Sequence, residues 1–290
     1  ISRGACFTES FCADPICCPA RASWWTGRYS SEHGVVVNNV VPMHSNVPLL
    51  SDHLRSHGYA TLFTGKWHVS GVAVRKVFSV THEGSHWGEI TDSDVSRSAR
   101  AILRAYSGSE PFFLNVGYLN PHDTCLVYSQ ERNGEVPRLI SSGVVPEESL
   151  PPLPAQHAYD NDDLAIVRHI KRSGETPEWS ELQWRYYLWK YYRLVEMVDA
   201  EIGLLLDEIE SSIYRDNTVV IFSSDHGESM ARHGTVGKNT LWDEVVKVPL
   251  IFSSFGDADY VGKAVVDSTH MVSGVDLFPT VCDFAGVPAP

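Results

Sequence analysis

Three apolar, β-rich runs that each break off into polar, anion- or metal-binding residues constrain this 290-residue chain more than anything else in it. They are Tyr59 to His68, Pro111 to Asp123 and Asn217 to Glu228. The core of the last, Thr218-Val219-Val220-Ile221-Phe222, shows no polar alternation, which suits a strand buried on both faces, as in a parallel sheet. Ligands of open α/β sheets sit beyond the carboxyl ends of the strands, so all three endings are expected to face one crevice. Helical patterns lie between the runs. Ser51 to His57 and Ser93 to Tyr106 are amphipathic, and Trp184 to Ser211 is the longest, with Leu188, Tyr191, Val195, Val198, Ile202, Leu205 and Ile209 at near-helical spacing. Val248 to Phe252 predicts a further core strand, and Val275 to Val281 the start of a helix. Strands alternating with helices specify an α/β fold. Val136 to Asp163, rich in proline, serine and acidic residues, reads as a long irregular excursion.

The stretch Cys17-Cys18-Pro19-Ala20-Arg21, continued by Ala22-Ser23-Trp24-Trp25-Thr26-Gly27-Arg28, sets a cysteine, a proline and an arginine ahead of a short apolar segment that Gly27 can close as a helix. Proline near the first helical position and glycine past the last are the usual punctuation of a helix. Cys17 is therefore expected at the amino end, where free N–H groups attract an anion. Of the cysteines here, Cys17 has proline two places on and arginine four places on, whereas Cys18 has proline adjacent and Cys12 has Pro15 three places on. A buried thiol or a disulfide partner is the alternative reading. A zinc site of Cys12, Cys17 and Cys18 lacks a second C-x-x-C or an H-x-x-x-H downstream.

The pattern C-x-P-[SA]-R-x-x-x-x-T-G-R resembles the type I sulfatase signature of the alkaline-phosphatase superfamily, in which the first cysteine is oxidised to Cα-formylglycine. Four further segments extend the resemblance: Thr64-Gly65-Lys66-Trp67-His68, Asn120-Pro121-His122-Asp123, Ser223-Ser224-Asp225-His226-Gly227-Glu228 and Gly237-Lys238-Asn239-Thr240-Leu241-Trp242-Asp243. It implies an alkaline-phosphatase-like α/β fold with a largely parallel central sheet flanked by helices. It also implies a sulfuric ester hydrolase acting on a sulfated small molecule or glycan. Cys17, Arg21, Lys66, His68, His122 and Lys238 would be its catalytic residues. Asp225, His226 and Cys17 as formylglycine would hold calcium, or magnesium, which suit an oxygen-rich site. The hydrate at residue 17 would attack sulfur, Lys66, Lys238 and His122 would balance charge and protonate the leaving oxygen, and His68 would assist release of sulfate.

The same resemblance implies a formylglycine-generating maturation enzyme as a partner and a periplasmic or extracellular location, lysosomal in a eukaryote. Residues 1–290 would form one sulfatase catalytic domain incomplete at both ends, since the family's first metal ligands are an aspartate pair on an earlier strand and a small carboxyl-terminal subdomain normally follows. Asp123 is ambiguous, because an aspartate after a strand often caps a turn or helix. Glu228, His33 and His233 are read as structural. Trp24-Trp25 stands where the family has two aliphatic residues. A phosphonate monoester or phosphodiester hydrolase of the same superfamily and a non-catalytic glycan-binding relative are the competing functions.

A net charge of −13, from 23 basic and 36 acidic residues, disfavours nucleic acid as a partner and leaves any anion to a local cationic cluster. No apolar run approaches the roughly 18 residues of a membrane span. The six cysteines are too few and too unevenly spaced for a disulfide scaffold, and they leave the redox compartment open.

Overall fold

In the computed structural model, residues 2–84, 87–130, 141–158, 164–170, 178–256 and 261–290 are described. The three apolar runs form strands β3 (Ala60–Gly65), β5 (Phe112–Gly117) and β6 (Val219–Ser223), after β1 (Gly4–Phe7) and β2 (Ser10–Phe11), with β4 (Ser79–Glu83) between the first two. β7 (Leu250–Ser254), β8 (Val265–Asp267) and β9 (Val272–Ser273) follow. The principal helices are α1 (Cys17–Thr26), α2 (Leu50–Ser56), α3 (Gly88–Ala105), α4 (Glu181–Ser211) and α5 (Leu277–Ala285). The architecture is α/β, with parallel pairings flanked by helices.

The strands divide into sheets of order β4-β3-β5, β6-β7-β1-β8 and β2-β9. Pairing is parallel for β3 with β4 and β5, for β1 with β8 and for β2 with β9, but antiparallel where β7 joins β1 and β6. The reason lies in the connection. A parallel return needs a crossover, usually a helix, and between Ser223 and Leu250 the chain offers only the 3₁₀ turn Arg232–Gly234 and the four-residue helix Asp243–Val246. β7 therefore comes straight back along β6. β6 is also an edge strand of its sheet and half-buried, with Phe222 40% exposed, where the sequence suggests a strand sealed on both faces. Its Val220, like Phe112 and Val116 of β5, packs against a buried cluster that includes Leu103 and Leu205 of the covering helices.

Helix boundaries follow local chemistry where it exists. Ser180 and Gln183 form a capping box, with Ser180 N–H donating to Gln183 Oε1 at 2.8 Å, and α4 starts three residues before the apolar pattern does. α3 begins at Gly88, five residues before its pattern, because a distant carboxylate, Asp123 Oδ2, accepts the Glu89 N–H at 2.8 Å. The main core beneath α1 is aromatic. Trp25, 4% exposed, lies 5.2 Å from Trp67 and 5.3 Å from Phe78, with Phe63 beside them. Trp24 turns the other way, against Gly274, where an added Cβ would sit 2.9 Å from the indole, so this tryptophan requires a glycine opposite. Of the expected excursion, residues 136–140 and 159–163, Asp162-Asp163 included, lie outside the described residues, and 142–158 is irregular apart from short 3₁₀ turns. Among the described residues no helix is long and apolar enough to cross a membrane.

Candidate functional site

Cys17 is the first residue of α1. Ile16 before it is extended, at φ −149° and ψ 145°, and Gly27 ends the helix in the left-handed region at φ 64°, its N–H returning to Ser23 O. Pro19 sits in the first turn, where its missing donor costs nothing. The orphan N–H of Cys18 is taken by the Asn38 side chain at 2.8 Å. Cys17 is thereby 1% exposed, with its sulfur aimed at residues that arrive from β3 and from the loop after β6.

Lys238 Nζ donates to Cys17 Sγ at 2.8 Å, and His226 Nε2 lies 3.1 Å from the same sulfur. His226 Nδ1 is 2.7 Å from Gly227 O, which makes Nδ1 a protonated nitrogen and turns Nε2 toward Cys17 and Lys238, the latter at 3.0 Å. Arg21, one helical turn beyond Cys17, donates from Nε to Asp225 Oδ2 at 2.8 Å and from a terminal nitrogen to Lys66 O at 3.1 Å. Lys66 Nζ is 3.9 Å from the same carboxylate oxygen. Two cations thus hold one buried carboxylate, and the backbone just past β3 is tied to α1.

The electrostatics follow from this packing. Burial pushes the Cys17 thiol up, but hydrogen bonds from His226 and His68 and the charge of Lys66 outweigh it and bring it down to about 3. His68 is driven up to about 9 by the thiols of Cys17 and Cys18, and Asn39 Nδ2 lies 3.1 Å from its Nε2. Asp225 is opposed by its burial, yet Arg21, His226, Lys66 and Lys238 hold it well below the usual carboxylate range. Burial pushes Lys66 down against the attraction of Asp225.

Glu228 is raised by burial and accepts from Tyr187 Oη at 2.6 Å and from the Gly237 N–H, so it fastens the loop before Lys238 to α4. His233 stacks on Trp242 with ring centres 4.1 Å apart and pairs with Glu244 at 3.4 Å. His33 is fully buried, 3.1 Å from Ser23 Oγ, and accepts the Val35 N–H at 3.1 Å.

Of the residues singled out from the sequence, Cys17, Arg21, Lys66, His68, Asp225, His226 and Lys238 meet in one cluster. His122 stands apart from it. Among the described residues it makes no hydrogen bond to Cys17, Lys66 or Lys238, and its ion-pair partner is Asp123, at 3.8 Å. Its turn is still brought alongside, because the Lys66 N–H donates to Gly117 O at 2.7 Å and because the Cys125 thiol, raised by burial and Asp123, is within reach of the charges of Lys238 and Lys66. Sequence reasoning passed over Asn38, Asn39 and Asp92. The paired asparagines, one of them left-handed at φ 58°, carried the available signal for a functional turn.

Cys17, Asp225 and His226 bring a sulfur, a carboxylate oxygen and a ring nitrogen within 4.8 Å of one another, the arrangement of one side of a metal site. Arg21 takes Oδ2 of Asp225, so Oδ1 is the oxygen left to a cation. The donors fit calcium in part, because calcium takes about six to eight oxygens and these residues supply a minority of them.

The family model that describes the sulfatases matches residues 2–287. The chain belongs to the sulfatase family. A Δ4,5-hexuronate-2-O-sulfatase of Bacteroides thetaiotaomicron is 27% identical over 310 residues, an alignment covering 100% of this chain and 62% of that protein. A solved 2-O GAG sulfatase superposes with a TM-score of 0.84 at 26% identity, covering 100% of this chain and 64% of the other. A phosphonate monoester hydrolase from Silicibacter pomeroyi shares the fold, with a TM-score of 0.77 at 17% identity over 100% of this chain and 67% of its own. This sulfatase chain therefore spans less than two thirds of the length of the first two. Sulfatases of the family generally depend on formylglycine and a metal ion.

Proposed function

We propose that this chain is the central part of the catalytic domain of a sulfuric ester hydrolase that removes sulfate from a sulfated carbohydrate. Cys17 would be converted to formylglycine by a maturation enzyme. The observation that carries the reading is the placement of Cys17 Sγ, buried at a helix amino end and held by Lys238 at 2.8 Å and His226 at 3.1 Å beside the Arg21–Asp225 pair. That sulfur stands in for a hydroxyl oxygen of the hydrated aldehyde. The carbohydrate class is supported by the names of the relatives, a hexuronate-2-O-sulfatase and a 2-O GAG sulfatase. A sulfated carbohydrate substrate favours a periplasmic or extracellular site of action, lysosomal in a eukaryote.

A formylglycine hydrate supplies two hydroxyls on one carbon, one to attack sulfur and one to expel sulfate afterwards. Asp225, His226 and an oxygen on residue 17 would hold a calcium ion there, whose positive charge would favour the ionised hydroxyl. The chain's own residues do the rest. Lys238 and Lys66 set two cations around the nucleophile, where charge gathers on the sulfate oxygens in the transition state. Arg21 keeps Asp225 ionised and aimed. His68, next to residue 17, takes the proton released by the second hydroxyl as the neutral imidazole. His122, on its separate turn, protonates the leaving oxygen.

Mass spectrometry of the protein made together with its maturation enzyme tests the reading. The Cys17 peptide is expected to be about 18 Da lighter than the thiol form, the difference between CH₂SH and CHO. A thiol-only peptide in a preparation that hydrolyses an aryl sulfate would sink it, and hydrolysis of phosphonate monoesters in preference to sulfates would redirect it to the neighbouring activity.

A further inference from the structure

The carboxylate of Asp123 sits at the centre of a reciprocal brace between the turn that carries His122 and helix α3. Its Oδ2 accepts the Glu89 N–H at 2.8 Å and closes the amino end of α3. The helix sends Asp92 back, whose two oxygens accept the Leu119 and Asn120 N–H groups at 2.7 and 2.9 Å. Turn and helix fix each other, so neither can rotate without breaking hydrogen bonds in both.

One oxygen is left over. Asp123 is 0% exposed, and its Oδ1 has no hydrogen-bond partner. His122 Nδ1 lies 3.8 Å from it, also buried and also without a partner. Leaving two such buried atoms unpaired is costly, and a shift of about 1 Å satisfies both. Glu89, bound by Lys190, Asp92 and Cys125 are the other ionisable groups near the pair, and among the described residues none gives a hydrogen bond to either atom. The imidazole is not sealed on its far side, since the His122 side chain is 32% exposed. Burial pushes the Asp123 carboxyl up, but His122 and the Glu89 and Gly88 N–H groups bring it net below its ordinary value.

We propose that Asp123 is a positioning residue, whose Oδ1 holds Nδ1–H of His122 so that Nε2 presents its proton to the leaving oxygen of the sulfate ester. The proposal rests on the reading of His122 as the general acid. In that step the S–O bond breaks with its electron pair going to the alcohol oxygen, the Nε2 proton joins that oxygen, and neutral His122 keeps its Nδ1 proton and later regains one from water. Asp123 stays ionised throughout. This geometry resembles a base–orienter pair, and the sequence places the two residues side by side.

The test uses the full-length, formylglycine-bearing enzyme and a series of aryl sulfates whose phenols range from strongly to weakly acidic. For Asp123→Asn, kcat/KM is expected to fall about 100-fold with the least acidic phenol and less than about 3-fold with the most acidic, which needs no proton. His122→Asn should show the same slope, and the double variant should lose no more than either single one. A sloped loss for His122→Asn with a flat one for Asp123→Asn overturns the positioning role alone. A flat loss for His122→Asn overturns the reading of His122 as the acid, and this inference with it. Should Asp123→Asn fail to fold, ¹⁵N NMR of the wild-type enzyme decides: Nδ1 protonated and hydrogen-bonded is expected, and an unprotonated Nδ1 overturns the proposal.

Discussion

Around Cys17, side chains from α1, from the end of β3 and from the loop after β6 are locked to one another by charge, with Arg21 on Asp225 at 2.8 Å and Lys238 on the sulfur at 2.8 Å. At His122 the strong contacts run instead between carboxylates and backbone, and the functional ring has its buried nitrogen unbonded. The first region is preorganised before substrate arrives, because cations stand where negative charge will gather. The second is a rigid mount with a ring that substrate must still engage. Damage to the first should therefore show in both chemistry and stability, and damage to the second chiefly in the protonation of the leaving group.

The contrast breaks most plainly at residue 17 itself. Cys17→Ala, a small change at a site 1% exposed, is expected to reduce turnover of an aryl sulfate to background while the circular dichroism stays that of the parent. Residual turnover above background would move the nucleophile elsewhere.

Arg21→Ala comes next, since it leaves the Asp225 carboxylate buried without its closest partner. Breaking such a pair destabilises by about 3–5 kcal/mol, measurable by urea unfolding near neutral pH. The folded carboxyl is held well below its ordinary value of 3.8, so its contribution is full above that pH and fades as pH falls through the folded value. The gap between parent and variant should accordingly narrow in acid, and a gap that is constant down to strong acid would assign the stabilisation to packing of the guanidinium.

Lys66→Ala and Lys238→Ala are each expected to cost about 2–4 kcal/mol in kcat/KM, the range for one preorganised electrostatic donor. If both retained parental kcat/KM, the clamp around Cys17 would have no catalytic meaning. The smallest expected effect belongs to the mount. Asp92→Ala removes the acceptor of two backbone donors and should lower stability by about 1–3 kcal/mol in thermal or chemical unfolding. An unchanged midpoint would mean that water replaces the carboxylate and that the turn is not braced by α3.

The comparison also separates what could be read early from what could not. The cluster around Cys17 was legible because its members recur as short contiguous segments, Gly65-Lys66-Trp67-His68 and Asp225-His226 among them, each at the end of an apolar run. The brace was not, since Asp92 and Asp123 look like ordinary surface aspartates on a helix and after a strand. The start of α3 was misjudged for the same reason: its cap is Asp123, far along the chain from Gly88. The antiparallel course of β7 escaped too, because its apolar pattern Val248 to Phe252 is the same for either direction, and the direction is set by the lack of a crossover helix.

By itself the sequence determined strands β3, β5, β6 and β7, the long helix, the helix of Cys17 with its left-handed Gly27, and the identity of the residues that gather there. These depend on periodicity and on the backbone preferences of single residues, which act over a few positions. Only the tertiary structure decided that Arg21 spends its charge on Asp225, that His226 turns its Nε2 to the sulfur, and that a carboxylate stands behind His122. Such partnerships join residues far apart in the chain or turn on the direction of one side chain, and they form only where burial strips away the water that would otherwise satisfy each group alone.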